Sequence, residues 1–259
     1  MSISVSTPLL VAFLLATIRT SAWLVVVPIF GTRIIPGMVK AAFAMALAFP
    51  VSGALAPLAP APQVLPLCTA ILQNVAAGLA MGVVTLTLFA AVRAAGGLLD
   101  YFGGFSLTYA FDPMAVQNDS VLARMYDLLA VTLLFAGGGY LLLLKGLLSS
   151  YTVIPLASSH PARILAELAT VNIGSFAVSC LEIAGPLLAV LVVADIGLGL
   201  LTKIAPALNV FSLGFPLKIL VTLTLVGGTF VALPHAVDAL VERILHDGGG
   251  VASLFSWRH

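Results

Sequence analysis

Residues 182–218 read EIAGPLLAVLVVADIGLGLLTKIAPALNVFSLGFPLK. Leu, Val, Ala and Ile dominate, as in a helix that lives in lipid. Yet Glu182, Asp195, Lys203 and Lys218 interrupt the apolar runs, and Pro186 and Pro206 each remove a helical hydrogen-bond donor. A charge in such surroundings needs a partner or a protein-facing surface. Asp195 and Lys203 stand two turns apart on roughly one helix face, near enough to share a polar network and too far for a direct i, i+4 pair. A plain boundary between two membrane helices, with its charges at the interface, is the simpler alternative.

Outward from this stretch the whole chain has the same character. Hydrophobic residues make up 61% of the 259 positions and charged residues 8%, against about 25% charged in a soluble domain. Such a chain is an integral membrane protein, in contact with lipid or assembled with other membrane subunits. The formal net charge is +1 without a basic run, so no nucleic-acid partner is expected. Cys68 and Cys180 lie in apolar segments without CxxC spacing and read as small core residues. The N-terminal apolar run lacks a basic lead and outruns a signal sequence, so no cleavage is expected.

Six segments have the length of about 20 apolar residues that a spanning helix needs: 7–30, 38–57, 64–92, 127–155, 171–194 and 210–234. The predicted fold is an all-α polytopic membrane protein of about six long, partly broken helices, forming one domain over 1–259. All are helices because a chain without water must satisfy its backbone internally. Arg19 sits mid-way in the first segment, where an arginine costs about 2.5 to 3.5 kcal/mol on the insertion scale, so it must face protein. Glu182, central in the fifth, follows the same logic, and the two opposite charges either meet other subunits or form a private ion pair within the bundle. Gly78 and Gly82 in the third segment read as close helix packing. The Gly137–Gly139 triple weakens the fourth and predicts a bend. Arg163 and Glu167 read as an i, i+4 pair in a surface connection. Residues 235–259 read as an amphipathic helix and an aromatic tail, suited to the membrane interface or to subunit docking. The Lys and Arg distribution predicts both termini on the outer side.

The longest polar connection, 93–124, is RAAGGLLDYFGGFSLTYAFDPMAVQNDSVLAR. Its glycines permit unusual backbone conformations, and its aromatics and Met114 can fill an opening. It reads either as a re-entrant or constricting loop, or as a surface loop with an interfacial aromatic anchor.

Several patterns together resemble one family. Asp195, Gly199, Pro206, Asn209, Val210, Phe211, Gly214, Pro216, Leu217 and Lys218 follow in an order similar to the signature of the FliR family of flagellar type III export-gate subunits, related to the injectisome SctT family. Arg19, Pro28, Phe30, Gly31, Pro36 and Lys40 resemble its N-terminal pattern. Ala95-Gly96, Leu99-Asp100, Gly104-Phe105-Ser106 and Asp112-Pro113 resemble its central elements. Tyr140 stands where family members often carry His, which leaves any role of that His without a counterpart here.

The resemblance implies an inner-membrane protein of the flagellar basal body that assembles with FliP-like and FliQ-like subunits, and with an FlhB-like subunit, into a tilted helical funnel. Unfolded export substrates would pass through it. It also implies a plug that closes the channel at rest, carried onto Phe105, Ser106, Tyr109, Phe111, Asp112, Pro113, Met114 and Gln117. Arg19, Asp100, Glu182, Asp195, Lys203 and Lys218 are then the buried polar or assembly residues. Pro28, Pro206, Asn209, Phe211, Gly214 and Pro216 are the helix-breaking signature.

No HExxH, GxSxG, phosphate loop or paired-acid arrangement is present, and the four histidines form no ligand spacing. No enzyme, metal or cofactor is expected. A proton-coupled secondary transporter using Glu182 and Asp195 is the competing reading, supported by broken helices and membrane acids.

Overall fold

Apolar sequence with few prolines inside each run leaves the backbone one economical way to bond itself, and among the described residues all regular structure is helical. The computed structural model describes residues 6–31, 35–105, 120–157, 161–204, 214–228 and 239. Helix α1 spans Thr7–Val26 and ends where Pro28 opens the short α2, Pro28–Gly31. Helix α3 is Gly37–Leu55, followed by a 3₁₀ turn at Ala56–Leu58. Helix α4 is Val64–Gly103, α5 Val121–Ala136, α6 Gly139–Val153, and α7 Pro161–Ile204. A final apolar helix, α8, is Phe215–Gly228.

Among the described residues, four helices are long and apolar enough to cross a membrane, and α5 with α6 forms a further, bent candidate. The bend falls at the predicted glycine triple, where Gly138 takes φ +74, a conformation open to Gly at little cost. Two expected connections prove helical. Helix α4 continues through Arg93 to Gly103, so the 93–124 connection shortens at its start. Helix α7 begins at Pro161, absorbing the surface connection expected around Arg163 and Glu167. The stretch from Pro161 is rich in Ala and Leu, whose helix propensity carries α7 across it, whereas α4 runs on despite three glycines, of which Gly96 packs against the Leu122–Ala123 backbone and Gly103 against Thr222. The amphipathic helix expected at 236–247 lies, apart from Ala239, outside the described residues.

The helices group into two compact units. Among the described residues, one comprises those up to Thr87 and Tyr140–Ile173, the other Leu88–Gly139 and those from Gly174 onward. In the first, α1 packs on α3 through small residues: Ala12, Ala16, Ala44 and Ala48 are essentially inaccessible. Small side chains let helix backbones approach closely, which supplies the dispersion contact that the hydrophobic effect cannot supply in lipid. Val11, Leu15, Leu55, Tyr151 and Leu156 complete this core. Gly78 and Gly82 of α4 face α1, with no room for a Cβ beside the Arg19 carbonyl and the Val26 side chain. In the second unit, Gly96 of α4 lies against the Leu122–Ala123 backbone of α5 in the same manner.

Candidate functional site

Arg19 is fully buried. Its guanidinium meets three neutral acceptor residues: Nε donates to Asn74 Oδ1 at 3.0 Å, Nη1 to the Ser150 carbonyl at 3.1 Å, and Nη2 to the Ile154 carbonyl at 2.8 Å. The Tyr151 ring lies under the cation, 4.4 Å from its centroid. The Tyr151 hydroxyl donates to the Ala16 carbonyl at 3.1 Å and lies 3.3 Å from Thr20 Oγ1. Arg19 and Thr20 on one side of α1, with Ala16 a turn before, thus all engage the end of α6.

The reason lies in how α6 stops. The Ser150 carbonyl accepts the Ile154 N–H at 2.9 Å, but the carbonyls after it have no intrahelical donor, since Pro155 cannot supply one and disfavours helix in Ile154 before it. In the turn that follows, Leu156 is fully buried between exposed Pro155 and Ala157. Arg19 covers the Ser150 and Ile154 carbonyls. Asn74 covers the Leu156 carbonyl at 3.1 Å, with a second donation to Ala70 at 2.7 Å. The buried face of this helix end is therefore stabilised by side chains from α1 and α4. The planar fork of Arg suits this task, since it reaches several acceptors at once. Nearby, Trp23 Nε1 donates to Thr85 Oγ1 at 3.3 Å, closing the polar account of α1.

The second unit holds charges differently. Lys218 Nζ lies 2.6 Å from Asp195 Oδ1 and 2.9 Å from Oδ2, with Lys218 mostly covered and Asp195 partly open. The expected network of Asp195 with Lys203 gives way to this pair. Eight residues along a helix separate two groups by about 12 Å, whereas α8 brings Lys218 into direct contact. Lys203 is exposed near the end of α7. Glu182 is also exposed, whereas the Arg19 guanidinium hydrogen-bonds to neutral groups of Asn74, Ser150 and Ile154. Gly214 is buried and Pro216 exposed at the start of α8. Pro206, Asn209 and Phe211 lie outside the described residues.

Asp100 is buried near the end of α4. Its Oδ1 accepts from the Leu122 N–H at 3.3 Å, and its carbonyl accepts from the Phe105 N–H at 3.2 Å. Phe105 is the last described residue of the expected plug. Ser106, Tyr109, Phe111, Asp112, Pro113, Met114 and Gln117 lie outside the described residues. Sequence reasoning missed Asn74 and Tyr151. Asn74 was legible as an uncharged polar side chain inside an apolar run, while the Tyr151 role depends on contacts 131 to 135 residues apart in sequence.

The family described as bacterial export proteins, family 1, matches residues 10–244. The chain belongs to this family. It is similar to the flagellar biosynthetic protein FliR of Escherichia coli (strain K12), 34% identical over 235 residues that cover 88% of each chain. FliR of Bacillus subtilis (strain 168) is 28% identical over 218 residues, 82% of this chain and 83% of the relative. An injectisome relative, Yop proteins translocation protein T of Yersinia pestis, is 29% identical over 172 residues, 65% of this chain and 66% of its own length. As a FliR/SctT-type protein, the chain is a membrane-embedded component of a bacterial export apparatus, and its all-helical polytopic fold accords with that membership.

Proposed function

We propose that this chain is a channel-forming subunit of a type III export gate in the bacterial inner membrane, conducting unfolded flagellar substrates, with residues 105–117 closing the pore at rest. Its partners are FliP-like, FliQ-like and FlhB-like subunits. The observation that carries the reading is similarity to FliR over 88% of the chain, which spans both units. Helix length supports it. Helices α4 and α7 have 40 and 44 residues, a rise of about 60 Å or more at ~1.5 Å per residue. Even at tilts of about 40° such helices extend past a hydrocarbon core about 30 Å thick. A subunit standing partly outside the bilayer and sheathed by others accommodates them.

Affinity purification of the tagged chain from native membranes in mild detergent tests the assembly. Stoichiometric recovery of FliP-like and FliQ-like proteins is expected. Recovery of the chain alone would favour the proton-coupled transporter and make Glu182 and Asp195 its coupling residues. Deleting part of 106–117 is expected to raise resting ion conductance of the assembled complex, and unchanged conductance would sink the plug assignment.

A further inference from the structure

We infer that Asp100 is a positioning residue that ties together the two roots of the α4–α5 connection, the end of α4 at Gly103–Phe105 and the start of α5 at Ser120–Leu122. One residue serves both roots with different atoms. Its main-chain carbonyl accepts the Phe105 N–H, and with Gly104 at φ +85 this is the six-to-one closure that ends many helices. Its carboxylate reaches across to the Leu122 N–H in the first turn of α5, where N–H groups lack helical acceptors and negative charge is favoured.

A local cap does not explain the carboxylate. Ser120 already fills that place, accepting from the Ala123 N–H at 3.1 Å. The acid arriving from another helix therefore serves the junction between α4 and α5. Gly96, one turn before Asp100, makes room for it by letting the Leu122 and Ala123 backbone lie directly on α4. On its other side the end of α4 is seated on α8, with Gly103 against Thr222 and Gly104 facing Phe215 and Lys218. Lys218 is in turn held by Asp195 of α7. Moving the two roots apart requires the Asp100 contact to break. The tie is a property of described helices in one unit, and only its bearing on pore closure rests on the proposed conduit.

Hydrogen–deuterium exchange of the assembled complex tests this with Asp100→Ala, Asp100→Asn and Ser120→Ala. In Asp100→Ala the Leu122 amide should exchange about ten- to a hundred-fold faster, the expected result of losing a hydrogen bond to a charged acceptor. The Phe105 amide should also exchange faster, although its own acceptor carbonyl is still present, because the roots separate. Asp100→Asn keeps a side-chain oxygen and should retain most of the protection at both roots, a comparison that remains if Asp100→Ala fails to assemble. Ser120→Ala should affect the α5 root alone. Acceleration confined to α5 in Asp100→Ala, matching Ser120→Ala, would reduce the carboxylate to a second cap and overturn the inference. Equal acceleration in Asp100→Asn would do the same. Resting conductance of the same complexes separates the two ideas: a rise in Asp100→Ala but not in Ser120→Ala links the tie to closure. Loosened roots with unchanged conductance uphold the tie and count against the plug.

Discussion

The cation in α1 and the cation in α8 are stabilised in opposite ways. Arg19 is fully buried and its described partners are uncharged, whereas Lys218 faces a carboxylate that is 41% exposed. The first arrangement satisfies geometry: carbonyls stranded at a helix end need donors, and a guanidinium supplies several. The second satisfies charge. A buried donor fork cannot be removed without leaving acceptors dry, so its loss should cost more than breaking a partly open ion pair, whatever the formal charges suggest.

The comparison breaks if Arg19→Leu is tolerated. That change should have the largest effect, about 2 to 5 kcal/mol for the Asn74 oxygen and the Ile154 carbonyl left without donors at about 1 to 3 kcal/mol each, read as loss of accumulation in membranes or a collapsed thermal transition in detergent. Arg19→Lys should recover only part of it, because an ammonium cannot fork between Asn74, Ser150 and Ile154. Next comes Asn74→Leu, which strands the Leu156 carbonyl and one Arg19 donor at about 1 to 3 kcal/mol, visible as a lowered thermal midpoint. Gly96→Ala in the second unit should cost a similar or smaller amount, about 1 to 3 kcal/mol, by forcing α4 off the α5 backbone. Suppression by a smaller residue is unavailable there, since Leu122 and Ala123 present main chain. Smallest is Asp195→Asn, at no more than about 1 kcal/mol in the isolated chain, with the wild-type contribution declining at high salt. A loss as large as that of Arg19→Leu would show that Lys218 depends on its counter-charge as fully as Arg19 depends on its acceptors.

Asp100 stands between these extremes. It is a buried acid whose carboxylate and carbonyl each accept from a backbone N–H, those of Leu122 and Phe105. Like Arg19 it serves helix ends, here a start and a stop, so the two residues show one principle with the signs reversed. Helix N-termini present donors and favour an acid; helix C-termini present acceptors and favour a base.

How far the sequence reached differs along the chain. Arg19 was legible as protein-facing because its insertion cost is too high for lipid, and the glycines at 78, 82 and 138 were legible as packing and bending positions. Membrane character, helical class and family likewise follow from composition and ordered motifs, which are local properties of the chain. The partners of Arg19 were not legible. An expectation built on charge alone looks for Glu182, while the fold brings neutral carbonyls of Ser150 and Ile154, groups every residue carries and no sequence pattern marks. Asp195 was paired in expectation with Lys203 on its own helix and in the structure with Lys218 on the next. Helical periodicity ranks neighbours along one axis, and only the packing of α7 against α8 supplies the shorter distance. The sequence by itself determined that charges in this chain must be sheltered within protein. Tertiary structure decided what shelters each one, because open backbone groups at helix ends and opposite charges on neighbouring helices come within reach only when the helices pack.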